Sequence, residues 1–332
     1  MAVAANTVET YDNSLIREDL EQQYSMISPE EVPFQTAIGV GEAATNTYTE
    51  WNIVDLQAPD STNREIEGNE GLDPDSATLG RRVGNYTQLS DKVISVSSTS
   101  EAVDAAADNV QRQAAQIAIK LKEMKRDMEV MLTENIVAAP GSSGTARSAA
   151  GLPAWLTSNI VLGASGAAPA LSGTTTGYPD TALTPGTAVA LTEENLNNVI
   201  EDCWNSGAEP SVIMVNSNNK RVISQTFTGN STRYKDAIDK RLTAAIDVYD
   251  SDFGELTVVP NRFLSTTASD NYSVYVLDPD FAELKFLQAP QQKELAETGH
   301  AMRRLLWAEY TLKVHNEAAH GAIHATTGAA PA

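Results

Sequence analysis

The apolar and polar residues between positions 98 and 135 alternate with the period of an α-helix. The apolar residues are separated by steps of four and three, which places them in one narrow stripe along a helix. Ser98 and Glu101 have the spacing of a capping box, although Ser100 is an equally suitable cap. The pattern predicts one helix from Ser98 to Asn135, about 50 Å long. Its stripe consists of Val110, Ala114, Ile117, Leu121, Met124, Met128 and Met131.

The remaining faces of this predicted helix are polar. A narrow apolar stripe is typical of a core seam and of a coiled-coil seam, and either makes the helix a structural spine. The residues expected to face solvent are Gln111, Arg112, Lys122, Lys125, Arg126, Asp127 and Glu129.

Residues 46–97 alternate in the way that β-strands do and predict a long hairpin with a polar tip. An isolated two-stranded hairpin is marginally stable in water, so this one is predicted to lie on another surface, which for an assembly subunit is a neighbour. The strand formers are Tyr48, Trp51, Ile53 and Val54 on the outgoing side and Tyr86, Val93, Ile94 and Val96 on the returning side. The charges of the tip are Arg64, Glu65, Glu67, Glu70, Asp73, Asp75, Arg81 and Arg82.

Four residues of this hairpin are predicted to contact another subunit, because exposed aromatic rings and fixed charges need partners. They are Trp51, Arg81, Arg82 and Tyr86. A solvated face explains the two arginines almost as well.

The regions on either side predict less regular structure. Residues 1–45 have the pattern of a short arm with one helix, Leu15 to Met26. Residues 139–190 carry only two charges, Arg147 and Asp180, which predicts a loop or a loosely ordered insertion. Within that tract, an apolar island at 151–162 is expected to pack, and residues 163–186 are expected to be the most mobile.

An α+β unit is predicted from Thr192 onward. It begins with a helix whose apolar face contains Cys203, ends near Gly207, and continues with a buried strand at 211–216 and a helix from about Asn218. The further predicted strands are 242–249, 255–259, 274–277, 284–287 and 303–315. The helical face consists of Leu196, Val199, Ile200, Cys203 and Trp204.

The amino-acid composition and net charge argue against some classes of function. The chain has 332 residues, is 42% hydrophobic, and carries a net charge of −21 with a pI near 4.5. This charge argues against a protein whose main task is to bind nucleic-acid phosphates, although such a chain can still enclose DNA without adhering to it. The single cysteine excludes an internal disulfide framework. No signal peptide or bilayer-spanning segment is predicted, which favours a cytoplasmic location.

Several motifs resemble active sites but lack the required context. Gly39, Gly41 and Ala44 have dinucleotide-fingerprint spacing, yet a strand pattern follows where a helix is required. Asp247, Asp250 and Asp252 precede Gly254 and predict a solvated hairpin turn better than a calcium loop.

The C-terminal histidines are the other candidate site. His320 and His324 would share a face if they lay on a helix, with Glu309 or Glu317 as a third metal ligand, but no complete ligand set is evident. Asp278 and Asp280 flank Pro279 in a predicted turn and need no acid–base role. No catalytic residue, cofactor site or metal site is predicted. The four histidines of the chain are His300, His315, His320 and His324.

Six segments together point to a known family: Thr10 to Ile16, Gly84 to Gln88, Glu123 to Glu129, Ala146 to Trp155, Pro210 to Asn216 and Arg304 to Asn316. Over nearly its whole length the chain resembles the major capsid proteins of tailed bacteriophages, specifically the SU10-like group. The resemblance implies an α+β, HK97-like capsid fold. The implied parts are an N-terminal arm (1–45), an extended β-hairpin loop or E-loop (46–97), a peripheral domain (98–160 and 290–325) with a spine helix (98–135), a low-complexity insertion (161–191) and an axial domain (192–289).

The same resemblance implies a function. The chain would self-assemble into hexamers and pentamers of an icosahedral phage head that encloses double-stranded DNA without reading its sequence, after assembly in the host cytoplasm. A separate scaffolding protein and a portal protein are expected partners, and a cement protein is compatible. No crosslink is predicted, since nothing identifies Lys92 and Asn69 as a reactive pair. The alternatives are an encapsulin-like compartment, a metal-dependent enzyme, and a fibrous or surface-layer protein.

Overall fold

The computed structural model describes residues 27–64, 66–68, 77–102, 112–173, 175–227, 235–236, 241–242, 247–264, 272–296 and 299–327. The predicted helix at Leu15 to Met26, Asn69, Val110 and the tip residues Glu65, Glu70, Asp73 and Asp75 lie outside these ranges.

Helices and strands alternate along the described chain, as an α+β fold requires. The α-helices are α1 (Pro33–Ile38), α2 (Ser98–Ala102), α3 (Gln113–Thr133), α4 (Glu193–Asn205) and α5 (Ser217–Thr226). The strands are β1 (Tyr48–Ile53), β2 (Arg81–Tyr86), β3 (Gln88–Ser97), β4 (Ile160–Val161), β5 (Ala170–Gly173), β6 (Thr176–Thr181), β7 (Val212–Val215), β8 (Lys235–Asp236), β9 (Arg241–Leu242), β10 (Val248–Ser251), β11 (Gly254–Pro260), β12 (Tyr272–Leu277), β13 (Ala282–Leu295), β14 (Ala301–Val314) and β15 (Gly321–Thr326).

The described strands form three main sheets and one short pair. The orders are β1-β2-β6-β5, β10-β11-β7-β12-β15-β4 and β13-β14-β3, with β8 and β9 as the pair. None of the described helices is long and apolar enough to cross a bilayer.

The predicted long helix is wrong in its extent. Arg112 has extended backbone (φ −63°, ψ 145°), so α3 begins afresh at Gln113 and covers 21 residues. Glu101, which the sequence assigned to a capping box at Ser98, instead accepts a hydrogen bond from the Gln113 N–H at 3.2 Å. A carboxylate at a helix N-terminus satisfies an orphan donor and complements the helix dipole. Glu101 therefore does cap a helix, but the helix it caps is α3 and not the one that begins at Ser98.

The predicted apolar stripe is correct only in the second half of α3. Met124, Met128 and Met131 are buried, whereas Leu121 and Ala114 are exposed. The buried methionines belong to a core that also includes Phe34. The spine is thus anchored in the core by its C-terminal half.

The helix and strand predicted from Thr192 onward agree with the structure, except that Trp204, predicted on the apolar face of the helix, is 50% exposed. The Thr192 hydroxyl caps α4 by accepting from the Asn195 N–H, and Gly207 adopts φ +91° just beyond the helix. Residues of β7 alternate between two cores: Ile213 and Val215 pack with α4 and α5, while Met214 faces the core that contains α3. The six-stranded sheet therefore separates the two cores.

The predicted long hairpin is divided between two sheets. β1 pairs with β2 from Tyr48 opposite Tyr86 to Ile53 opposite Arg81. The rest of the returning strand, β3, pairs with β14 from Ser97 opposite Ala301 to Gln88 opposite Tyr310. We call the β1–β2 pair the ribbon.

The low-complexity tract is more ordered than its composition predicted. β5 and β6 form an antiparallel hairpin, and β6 adds to the ribbon through Val83 opposite Gly177. The expectation of a loosely ordered loop is wrong for these strands. Small residues lack a hydrophobic period, but they permit a tight hairpin packed against another strand.

Candidate subunit interface

The four predicted interface residues all lie on or beside the ribbon. Trp51 is on β1, and its ring centroid lies 5.3 Å from that of Trp155 in the same chain. Trp51 is only partly exposed and packs against the core. Much of its surface is therefore covered within the subunit.

Tyr86 belongs to an aromatic cluster. Its ring lies 4.7 Å from Tyr48 and 5.1 Å from Tyr178, the latter in an edge-on geometry with an interplanar angle of 74°. Burial is the main cause that raises the pKa of both Tyr48 and Tyr86 above the usual value. These phenols are neutral at physiological pH, and the cluster joins the ribbon to the low-complexity tract.

The two arginines differ in exposure. Arg81 Nε lies 3.3 Å from an Asp55 carboxylate oxygen, whereas Arg82 is 3.9 Å from Glu50 with its side chain 66% exposed. Exposed ion pairs of this kind contribute little stability. Arg82 is thus the most available of the four residues for another molecule.

Sequence reasoning missed four exposed apolar residues at the outer end of the ribbon. Leu56 is 91% exposed and Leu79 85% exposed, and neither packs against the described part of the chain. Single exposed apolar side chains are common on protein surfaces, but a group of them at one end of a ribbon is typical of a contact surface and favours a contact with another subunit. The sequence does contain a pattern that could have predicted this contact, namely single apolar residues within an otherwise charged tip. These residues are Val54, Leu56, Ile66 and Leu79.

Glu129 occupies a buried junction rather than the solvated face that the sequence predicted. Its carboxylate accepts hydrogen bonds from the Phe34 N–H at 2.8 Å, the Gln35 N–H at 3.0 Å and the Asn261 amide at 2.7 Å. Burial raises the pKa of Glu129, and these hydrogen bonds oppose the rise. The prediction was wrong because the partners are remote in sequence and leave no periodic signal.

The candidate metal ligands are held apart in structural hydrogen bonds. His324 lies on β15, so it shares no helical face with His320. His320 Nδ1 accepts from the Asp278 N–H at 3.3 Å, and His324 Nδ1 is 2.9 Å from Ser273 Oγ. Burial lowers the pKa of each of these histidines to about 4. Within the described residues, no group of three or more His, Cys, Asp or Glu side chains could hold a metal ion.

The two glutamates considered as a third metal ligand also form structural hydrogen bonds. Glu309 pairs with Arg147 at 2.5 Å and accepts from Thr87 at 2.6 Å. Glu317 accepts from the backbone N–H groups of Thr157 and Ser158, both at 3.1 Å. These carboxylates connect segments of the fold.

The remaining motifs are also accounted for by the fold. Asp278 caps the Pro279–Phe281 turn, and Asp250 lies opposite Glu255 in the β10–β11 hairpin. The buried thiol of Cys203 has its pKa raised to about 12 by desolvation, which makes it a poor nucleophile.

Comparison with known proteins identifies the family of this chain. The family model for the SU10 major capsid protein matches residues 4–327. The chain belongs to the SU10 major capsid protein family. One relative, the major capsid protein of Escherichia phage Phieco32, is 22% identical over 351 aligned positions that cover 96% of this chain and 97% of the relative.

Solved structures agree on the fold. A chain from Mycobacterium phage Cain has a TM-score of 0.61 at 12% identity and covers 98% of this chain and 100% of its own. The capsid of a native GTA particle gives 0.59 at 13% identity, with 98% and 100% covered. The SrpI encapsulin from Synechococcus elongatus gives 0.58 at 9% identity, with 98% of each chain covered. The predicted α+β, HK97-like fold is confirmed.

Membership also confirms the predicted function at the level of the family. The chain is a structural subunit of a phage capsid shell and is located in the virion capsid.

Proposed function

We propose that this capsid protein forms the hexamers and pentamers of an icosahedral head that encloses double-stranded DNA. The observation that carries the proposal is the ribbon with its exposed apolar end, because Leu56 and Leu79 need a surface that the described part of the subunit does not supply. Many weak contacts of this kind add up in a closed shell.

The proposed division of labour follows the chain. An arm (1–45) and an extended loop (46–97) reach neighbouring subunits. A peripheral domain (98–160 and 290–325) and an axial domain (192–289) form the plate of the shell. The ribbon residues Trp51, Arg81, Arg82 and Tyr86 lie at the base of the extended loop, where Arg82 is the most exposed.

Assembly in the host cytoplasm with a separate scaffolding protein and a portal protein is part of the proposal. A covalent crosslink through Lys92 is not, because its ammonium group pairs with Asp127 at 2.5 Å and lies 4.0 Å from Glu123. The net charge of −21 favours a shell wall that does not bind DNA tightly.

The encapsulin-like compartment remains the second candidate, since the SrpI encapsulin shares the fold. The two differ in cargo rather than in shell geometry. The proteins encoded beside this one separate them: a portal and a terminase favour a phage head, and a cargo enzyme favours a compartment.

Negative-stain electron microscopy and light scattering of the purified chain, alone and with the candidate scaffolding protein, test the assembly. Closed shells hundreds of ångströms across are expected. A monomer or dimer under both conditions would contradict the proposal, and open sheets or filaments would favour the surface-layer alternative.

A further inference from the structure

The low-complexity tract contains a feature without an assigned role, which we call the insertion hairpin and define as β5 and β6 with their connection. Its base is fixed to the rest of the subunit. The Ala167 and Thr184 backbones exchange two hydrogen bonds, at 2.8 and 2.9 Å. The Asn135 side chain, just past the end of α3, donates to the Leu183 carbonyl at 2.7 Å and accepts from the Leu183 N–H at 3.1 Å.

The outer part of the insertion hairpin lies against the ribbon. Tyr178 on β6 places its ring edge-on to Tyr86 at 5.1 Å and to Tyr48 at 6.2 Å. The Pro179 carbonyl, one residue further, accepts from the Ala138 N–H at 2.9 Å. The hairpin therefore contacts both the ribbon and the segment that follows the spine helix.

Two glycines permit close packing within each of these parts, Gly177 inside the insertion hairpin and Gly84 inside the ribbon. Gly177 has φ +90°, and a Cβ there would collide with the Ser172 hydroxyl. A Cβ on Gly84 of the ribbon would lie 2.7 Å from the Tyr48 ring. Glycine at position 177 therefore permits the tight β5–β6 hairpin, and glycine at position 84 leaves room for the Tyr48 ring over β2.

The contact with the insertion hairpin makes the ribbon more rigid. Two strands alone are marginal in water, whereas here the pairing of Val83 with Gly177 joins the ribbon to β6 and extends it to the four-stranded order β1-β2-β6-β5. The ribbon is also supported by Trp155, whose ring lies against that of Trp51 in a tilted arrangement with an interplanar angle of 37°. Its direction relative to α3 is thus set inside the subunit, before any neighbour is present.

We propose that the insertion hairpin is a brace that fixes the direction of the ribbon and thereby sets the angle between neighbouring subunits. This rests on the proposed function, in which the ribbon reaches a neighbour. A ribbon held in its bound direction loses less conformational freedom on contact. A constant contact angle also decides whether repeated heterologous contacts close into a shell of one size.

The first test uses Tyr178→Ala, which removes both ring contacts, and Tyr178→Phe, which keeps them. Amide hydrogen exchange is measured on unassembled subunits. In Tyr178→Ala, the amides of β1 and β2 are expected to exchange about tenfold faster, while those of the distant β10–β11 hairpin are unchanged. Tyr178→Phe should match the wild type. Unchanged exchange in Tyr178→Ala would overturn the brace.

The second test measures shell diameters by electron microscopy. Tyr178→Ala should give mixed diameters or open shells, as should a variant with residues 169–181 replaced by Asn-Gly. That closure is sterically reasonable because Ala167 and Thr184 are already paired. If the deletion does not fold, the point variant still decides. Faster ribbon exchange with uniform wild-type diameters would overturn the link to shell geometry. If wild type forms no shells, the proposed function fails, while the exchange experiment still tests the brace.

Discussion

The Glu129 carboxylate accepts the Phe34 N–H at 2.8 Å across a sequence separation of 95 residues. Phe34 is near the start of α1, so a buried charge on the spine helix caps the short helix that leads out of the arm. The same carboxylate binds the Asn261 amide at the end of β11. One side chain therefore joins three distant parts of the chain.

Replacing Glu129 with Gln should destabilise the unassembled subunit by about 1–3 kcal/mol, because an amide presents only one acceptor oxygen and loses the charge. Urea unfolding of the variant measures this change. Glu134→Gln, at an exposed position just past the C-terminal end of the same helix, is the matched control and should shift the free energy of unfolding by less than about 0.5 kcal/mol. Equal effects for the two variants would show that the junction is not stabilising.

The buried histidines predict acid sensitivity. The pKa of His320 and of His324 falls from 6.5 to about 4 on folding, so the unfolded state binds more protons between these values. Their contribution to stability is present above pH 6.5 and is lost as the pH falls toward 4. The full difference corresponds to about 3 kcal/mol for each histidine.

Urea unfolding of unassembled subunits at several pH values between 7 and 4 measures this dependence. His324→Gln should flatten the profile, whereas His300→Gln, a change at an exposed position, should leave its slope unchanged. A slope that is the same in all three proteins would rule out a role for His324.

The Arg147–Glu309 ion pair should contribute more to the stability of the subunit than the exposed Arg82–Glu50 pair. Glu309 is buried, and Arg147→Met would leave its carboxylate with the Thr87 hydroxyl as its one remaining hydrogen-bond partner among the described residues. Losing one partner of a fully buried pair costs about 3 kcal/mol, and the loss here should be somewhat smaller because the Arg147 side chain is 33% exposed. Arg82→Met, which removes an exposed pair with Glu50, should cost less than about 1 kcal/mol. Thermal unfolding of the two variants compares them, and a larger loss for Arg82→Met would contradict this ranking.

The exposed apolar end of the ribbon should be required for assembly but not for folding. Leu56→Asp combined with Leu79→Asp should leave the circular dichroism and melting temperature of the subunit unchanged. It should weaken each contact by roughly 1.4 kcal/mol, which is tenfold in its association constant, and so lower the assembled fraction. Val248→Asp, at an exposed position away from the ribbon, is the control. Normal assembly of the double variant would remove these residues from the interface.

Local signals explain what the sequence predicted well. The apolar face from Leu196 to Cys203 and the glycine stop at Gly207 lie within one short segment, and the structure follows them. Their information is contained in neighbouring residues, so periodicity and capping rules suffice.

The features that the sequence did not predict depend on partners that are distant along the chain. The role of Glu129 depends on Phe34 and Asn261, and the order of the insertion hairpin depends on the ribbon. Glu101 illustrates the intermediate case, because its capping spacing was visible but its partner, Gln113, lies beyond the first helix. The predicted interface role of Trp51, Arg81, Arg82 and Tyr86 stays a prediction, since it concerns a second subunit.

The chain passes from β2 to β3 through a single residue, Thr87, and so from the ribbon directly into the three-stranded sheet. A neighbour that pulls on the ribbon would transmit its force along covalent backbone into β3. The β3–β14 pairing extends over ten residues and is antiparallel, so its hydrogen bonds would resist that pull together, in shear, rather than opening one after another. On this geometry, we expect a load applied through the ribbon to separate neighbouring subunits before it opens the β3–β14 pairing.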